Sequence, residues 1–328
     1  MDQNELIAHL VKKGLLRSSN VSVSPLSGGV SSELFLLDDG VNRFVLKRAL
    51  PKLKVKADWF ADVKRNQIEQ RYLKYVSVFL PEAVPNILYS NEEHHFFCME
   101  MLENGLTNWK GQMLEGKIHS AYAKAAGKIL GVIHNKSGGD RAVEDQFDTL
   151  ANFQELRIEP YLIHTGEQHP ALALYFNREV ERLATVKQCL VHGDFSPKNI
   201  LVSPERLVIL DCEAAWYGDP VFDVAFLLNH FMLKALYLPQ KADEFVNLSS
   251  TAFEAYRIHA KNLVDASFEK RLVKLLLLLM LARVDGKSPV EYFNATQKQK
   301  VRNFVYEELP NNISYEAVNA SWLETVQL

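Results

Sequence analysis

Between His192 and Asp211 the chain sets out one candidate proton acceptor and two candidate cation ligands. The run reads His192-Gly-Asp-Phe-Ser-Pro-Lys-Asn-Ile-Leu-Val202, with Leu210-Asp211 after it. Asp194 can take a proton from a hydroxyl. Asn199, five residues on, and Asp211, twelve beyond that, offer an amide and a carboxylate oxygen. Magnesium prefers such hard oxygens and keeps several waters, so two protein ligands suffice. A base beside magnesium-bound phosphates is the apparatus of phosphoryl transfer from a nucleotide to a hydroxyl. An ordinary turn is the competing reading, because Asp, Asn and Gly are turn residues in any case.

Upstream residues supply the other parts that this chemistry needs. Ser27-Gly-Gly-Val-Ser-Ser32 lies between the apolar runs Val21–Ser24 and Leu34–Leu37 and reads as strand, glycine turn, strand. Ser27, Gly28, Gly29 and Ser31 are candidate phosphate contacts there, since a backbone without Cβ can come close to phosphate oxygens. A plain hairpin would look the same. Asn42–Arg48 alternates so that Phe44 and Leu46 share one face, Val45 and Lys47 the other. Lys47 follows the glycine turn and two strands, which makes it the candidate phosphate lysine rather than a lysine snorkelling at an edge. The spacing predicts a helix over residues 58–79, with Ile68, Tyr72 and Tyr75 or Val76 on one stripe. Glu69, beside that stripe, is the expected partner of the Lys47 ammonium; an exposed helix glutamate is the alternative. His95–Leu102 reads as a strand entering a connector, where the backbone of Glu100 and Leu102 could meet an adenine edge and Met99 and Leu102 its apolar face.

The elements that must position these residues follow from the same patterns. Cys189–His192, Ile200–Val202 and Arg206–Asp211 read as short strands, with Gly193 and Pro197 shaping the turn that carries Asp194 and Asn199. Asp2–Glu5 forms a capping box for a first helix ending near Gly14. Three strands, the Glu69 helix and two more strands then run to about Leu102. The turn at Glu103-Asn-Gly105 divides the chain into a nucleotide-binding lobe, residues 1–103, and a catalytic and substrate lobe, residues 104–328. Helices are predicted over 118–134, 219–236, 241–258, 265–284 and 289–309. His134 is read as a core or cap histidine, Asp223 as a brace for the catalytic loop. Trp216 and Tyr217 are read as core, with an acceptor-pocket wall as the alternative. Residues 141–170, polar with aromatic interruptions, are placed over a substrate cleft.

Together these residues resemble the aminoglycoside phosphotransferase and choline-kinase-like superfamily, relatives of the protein kinases. The resemblance rests on Ser27–Ser32, Lys47, Glu69, Met99–Leu102, His192–Asn199, Leu210–Glu213 and Tyr217-Gly-Asp-Pro-Val-Phe-Asp223. It implies an α+β, bilobal protein-kinase-like fold: a small antiparallel-sheet lobe with one main helix, then a larger, mostly helical lobe. It also implies Asp194 as catalytic aspartate, Asn199 and Asp211 as metal ligands, and Lys47 on the α- and β-phosphates of ATP. Protein kinases place Arg after the motif's His and Phe-Gly after the metal-binding Asp. This chain has Gly193 and Cys212-Glu213 there, which points to a small-molecule rather than a peptide acceptor. Lys47-Arg-Ala-Leu-Pro51, Val55 and Trp59 are similar to the methylthioribose kinases. Those enzymes, however, end their catalytic loop in Gly-Ser where this chain has Lys198-Asn199, and carry paired arginines where it has Arg283 alone.

Composition bounds the partners. The chain has 328 residues, 48% hydrophobic and 23% charged, with a formal charge of −3. That is ordinary for a globular protein and gives no electrostatic case for nucleic acid or an anionic membrane. Lys52, Lys54, Lys56, Lys64 and Arg65 read as a solvated basic face. Cys98, Cys189 and Cys212 sit in apolar runs and read as buried thiols, which with the absence of a signal-peptide pattern suggests the cytoplasm. Leu275–Ala282, at eight residues, is too short to span a bilayer. The expected partners are ATP, Mg²⁺ and a small hydroxyl-bearing acceptor. Aminoglycosides, amino alcohols and thiosugars, GTP as donor, and a non-catalytic nucleotide-binding module all stay open, as does oligomeric state.

Overall fold

Asp2 starts the fold as a helix cap. Its Oδ1 accepts from the Glu5 amide at 2.9 Å while Glu5 Oε2 accepts from the Asp2 amide at 2.9 Å, closing the capping box on α1, Gln3–Lys12. The helix stops at Gly14, whose φ of 75° suits glycine. The structure, a computed structural model, describes residues 2–26, 31–53, 60–102 and 105–328. It divides into two compact units, Met1–Leu106 and Thr107–Leu328.

In the first unit β1 (Ser22–Pro25), β2 (Ser32–Asp38), β3 (Arg43–Ala49), β4 (Ile87–Asn91) and β5 (Phe96–Glu100) form one antiparallel sheet in the order β1-β2-β3-β5-β4. Helix α1 covers one face, burying Ile7 and Leu10 against Leu37, Phe44, Leu46 and Phe96. Helix α2, Arg65–Ser77, begins later than the spacing predicts: residues 60–64 are not helical, and 54–59 lie outside the described residues. Its stripe is Ile68, Tyr72, Leu73 and Val76, all buried. Arg65 corrects the expected solvated basic face. It is 1% exposed and donates to the carbonyls of Ala61, Asp62, Ser31 and Leu50 at 2.6 to 3.0 Å. A guanidinium can satisfy several carbonyls at once, so here it knots the chain before α2 rather than meeting water.

The second unit is mainly helical. After β6 (Thr107–Asn108) come α3 (Trp109–Leu114), α4 (Ser120–Ser137), α5 (Arg141–Gln146) and α6 (Leu150–Phe153). A π-helical segment, Gln154–Ile163, runs into α7 (His164–Gln168), and α8 (Ala173–Thr185) follows. Four short strands carry the loop of interest: β7 (Cys189–Val191), β8 (Ile200–Val202), β9 (Leu207–Ile209) and β10 (Trp216–Gly218). Strand β7 pairs with β10, and β8 lies between β6 and β9. The chain ends in α9 (Val221–Tyr237), α10 (Ala242–Ala260), α11 (Phe268–Asp285), α12 (Ala295–Glu308) and α13 (Tyr315–Gln327).

Two glycines set how closely α4 and α10 approach. A Cβ on Gly127 would overlap the Ala252 carbonyl, and one on Gly131 would crowd Tyr256 and His259. The run Leu275–Ala282 is fully buried within α11. Among the described residues no helix is long and apolar enough to cross a membrane. The three cysteines are free thiols and buried.

Candidate active site

In the first unit, Lys47 sits on β3 between Leu34 of β2 and Phe97 of β5. Its ammonium donates to Glu69 Oε1 at 2.7 Å, with the side chains 6% and 3% exposed. Burial on a central strand leaves the long stem one direction, and Glu69 from α2 meets it there. Ser27, Gly28 and Gly29 lie outside the described residues. Ser31 is buried, and its carbonyl accepts from the Leu50 amide at 2.9 Å and from Arg65 at 2.6 Å. Those bonds tether the chain at Ser31, just beyond Gly28-Gly29 in sequence. Glu100 ends β5, and its amide donates to the Asn86 carbonyl at 2.9 Å, so that N–H is spent inside the protein. Leu102 is half-buried beyond the strand.

The second unit holds Asp194, Asn199 and Asp211. Asp194 follows β7, and its loop is fastened from below by Asp223 of α9. The amides of His192 and Gly193 donate to Asp223 Oδ2 and Oδ1 at 2.7 and 2.9 Å. His134 Nε2 lies 3.2 Å from the same carboxylate, and its Nδ1 lies 3.0 Å from the Tyr256 hydroxyl. All of these groups are buried. His134 therefore supports the brace rather than binding a ligand. Gly193 has φ 78°, and a Cβ there would overlap the Ala214 carbonyl, so glycine is required at the position where protein kinases have arginine. His192 turns back on the loop, its Nδ1 accepting from the Asp194 amide at 3.1 Å. Burial pushes its pKa below the usual imidazole range, which keeps that nitrogen an acceptor.

Asn199 donates through Nδ2 to the Asp194 carbonyl at 3.1 Å, which fixes its side-chain oxygen as the remaining donor atom for a cation. The Leu210 amide donates to the Asn199 carbonyl at 2.8 Å and brings Asp211 to the same loop. Asp211 lies beyond β9, whose last residue is Ile209, in the left-handed region with φ 63°. An amide and a carboxylate oxygen suit magnesium and would be poor ligands for a soft metal. Trp216 and Tyr217 are both buried. Trp216 stacks on Phe153 with centroids 3.6 Å apart, and the Tyr217 hydroxyl donates to the Ser137 and Gln188 carbonyls.

Sequence reasoning missed Arg157. It projects from the π-helical segment with Nη2 2.8 Å from Asp194 Oδ2 and Nε donating to the Gly193 carbonyl. Burial works most strongly against its charge, but Asp194, Tyr161, Glu213 and Asp211 together outweigh burial and hold the guanidinium more firmly protonated than usual. Lys198 Nζ lies 3.3 Å from the same oxygen, and Asp194 raises its pKa as well. Among the described residues, Asp194 Oδ1 by contrast meets only Ser196 Oγ, at 3.5 Å. One carboxylate oxygen is held by cations and the other is less occupied.

A family model described as a phosphotransferase enzyme family matches residues 22–257. The chain belongs to that family. The matched span of this phosphotransferase-family chain contains both the Lys47–Glu69 pair and the Asp194 loop. Methylthioribose kinase of Bacillus cereus strain AH820 is 26% identical over 246 residues, 67% of this chain and 62% of that protein. The chain thus spans under two thirds of the length of the curated relatives it matches. Among solved structures, an ADP-bound aminoglycoside phosphotransferase aligns over 99% of this chain and 97% of its own, with TM-score 0.52 at 18% identity. A choline/ethanolamine kinase family protein from Mesorhizobium loti aligns over 100% and 94%, with TM-score 0.54 at 14% identity. The fold is therefore the α+β protein-kinase-like fold of these enzymes.

Proposed function

We propose that this chain transfers the γ-phosphoryl group of ATP to a hydroxyl of a small molecule. The observation that carries this reading is the Asp194 loop. It lies inside the matched family span, is braced by Asp223, and offers Oδ1 of Asp194 as the less occupied carboxylate oxygen. The acceptor oxygen forms a bond to the γ-phosphorus as the bond to the ADP oxygen breaks, and the hydroxyl proton passes to Asp194. Lys47, pinned by Glu69, offsets charge on the triphosphate, with the glycine-containing segment 27–31 and the Glu100–Leu102 connector assigned to the rest of the nucleotide. Asn199 and Asp211 would hold magnesium, which would supply positive charge against the phosphates. In this reading the first unit binds nucleotide and the second binds acceptor. The free thiols and the ATP requirement suit the cytoplasm.

Purified protein with Mg·ATP, screened for ADP release against a library of hydroxyl-bearing metabolites and antibiotics, tests the proposal. An acceptor-dependent signal that disappears in Asp194→Asn supports it. ATP binding without transfer to any acceptor would instead favour a nucleotide-binding module without catalysis. A methylthioribose-type sugar acceptor is the second reading, favoured by the 26% identity to those kinases. The single Arg283 and the Lys198-Asn199 ending of the loop count against it.

A further inference from the structure

We propose that the hydroxyl acceptor is itself an anion, a small molecule whose carboxylate or phosphate group docks on the open edge of the Arg283 guanidinium. The inference rests on the phosphotransfer reading and names its substrate class. Arg283 lies on α11 and is 8% exposed. Its Nη1 donates to the Ser288 carbonyl and, at 2.9 Å, to Ser288 Oγ, with the Tyr161 hydroxyl 3.5 Å away. Its Nε is buried with no acceptor, and no hydrogen bond among the described residues uses Nη2. Nε and Nη2 form the flat edge that grips a carboxylate or phosphate through two parallel bonds. A purely structural arginine would be expected to spend that edge on a carbonyl, as Arg65 does.

The neighbourhood repeats the message. Tyr161 lies between Arg283 and Arg157, its ring centre 6.0 and 5.9 Å from the two guanidinium carbons. Arg157 reaches on to Asp194, so Arg283 is connected to the proposed base through the Tyr161 ring and the Arg157 guanidinium. Lys234 on α9 is fully buried. Its ammonium touches the His230 carbonyl at 3.4 Å and lies 5.7 Å from the Tyr292 ring centre. Neither Arg283 nor Lys234 has a carboxylate within ion-pair distance among the described residues. Of the acids nearby, Glu291 is paired with Lys110, and Asp194 is shared by Arg157 and Lys198. Burial, followed by the positive charges of Lys110 and Arg283, lowers Lys234 to about 7. Burial and Lys234, Arg283, Lys198 and Lys110 together hold His230 neutral. Buried positive charge with too few counter-charges is costly unless an anion completes it. An ammonium-bearing acceptor would add to the excess.

The test uses the full chain with Mg·AMP-PNP bound and follows calorimetric binding of four probe classes. These are inorganic phosphate, hydroxy acids with sugar phosphates, neutral sugars, and cationic amino alcohols with aminoglycosides. The expected result is saturable binding confined to the anions, at a Kd of about 1 mM or tighter. Arg283→Gln should weaken it at least about tenfold, the scale of a charged hydrogen-bond pair. Lys234→Met, which removes one long backbone contact and the ammonium beside the Tyr292 ring, should weaken it too while leaving the fold intact by circular dichroism; it keeps the test valid if Arg283→Gln does not fold. Separate titrations with hydroxy acids and sugar phosphates tell a carboxylate from a phosphate ligand. Anions that fail to bind, or that bind equally well to both variants, overturn the inference. So does an Arg283→Gln defect confined to AMP-PNP, which would give the edge to the nucleotide's terminal phosphate. Asp194-dependent ADP release on a cationic or neutral acceptor would overturn this inference and leave the kinase reading standing. Anion binding without any turnover would do the reverse.

Discussion

Asp194 presents two unlike oxygens, and its replacement separates their roles. Asp194→Asn keeps the shape and the loop but removes the proposed proton acceptor, so turnover should fall by about 10²–10⁴-fold with ATP affinity within a few-fold; steady-state kinetics with equilibrium ATP binding read both. Arg157→Gln leaves Oδ2 without its buried cation and the Gly193 carbonyl without that donor. It should lower kcat more than it raises KM for ATP, and Arg157→Lys should restore only part of the rate. Lys47 and Glu69 could be read in the sequence because a lysine after a glycine turn and a glutamate beside a helix stripe are local signals. Arg157 could not. Its partner lies 37 positions away, and the π-helical segment that aims it breaks the 3.6-residue period on which helix recognition depends. Arg65 was misjudged for the opposite reason: basic neighbours in sequence suggest a wet surface, yet Arg65 turns inward to gather carbonyls.

At the scale of elements, α9 and the α4–α10 seam determine whether the loop exists at all. Asp223→Ala strips two buried amides of their acceptor and His134 of its neighbour. It should cost roughly 2–5 kcal/mol, read by urea denaturation, with activity lost even at temperatures where the chain stays folded. Gly127→Ala places a methyl group on the Ala252 carbonyl. The helices cannot spread without disturbing His134 and Tyr256, so a loss of several kcal/mol is expected, against a small gain were the site exposed. The capping box at Asp2, the strand–turn–strand around Asp194 and the proline-led start of α9 were legible because each has its own residue chemistry. Helix α13 was not. Its buried face is Tyr315, Val318, Trp322 and Val326, but the polar residues between them give a weak stripe, and its packing partners lie far away in sequence.

For the molecule as a whole, Lys234 makes stability depend on pH. Unfolded, it titrates near 10.5; folded, near 7. Between those values the unfolded chain carries the extra proton, so stability should rise with pH from about 7 to about 10.5, with a slope from this residue of at most about 1.4 kcal/mol per pH unit. Below about 7 both states hold the proton and its contribution levels off at its least favourable value. Thermal melts across that range should show the rise, and Lys234→Met should flatten it and melt higher at neutral pH. A bound anion would favour the charged amine and blunt the same dependence.

Asp211 keeps its carboxylate in position only by holding a backbone conformation that side chains tolerate poorly. Glycine there would relax the peptide by about 1 kcal/mol and erase the carboxylate at the same time. Heat tolerance gained at this position would therefore remove a ligand of the proposed cation. The durable variant and the working one are different proteins separated by a single codon.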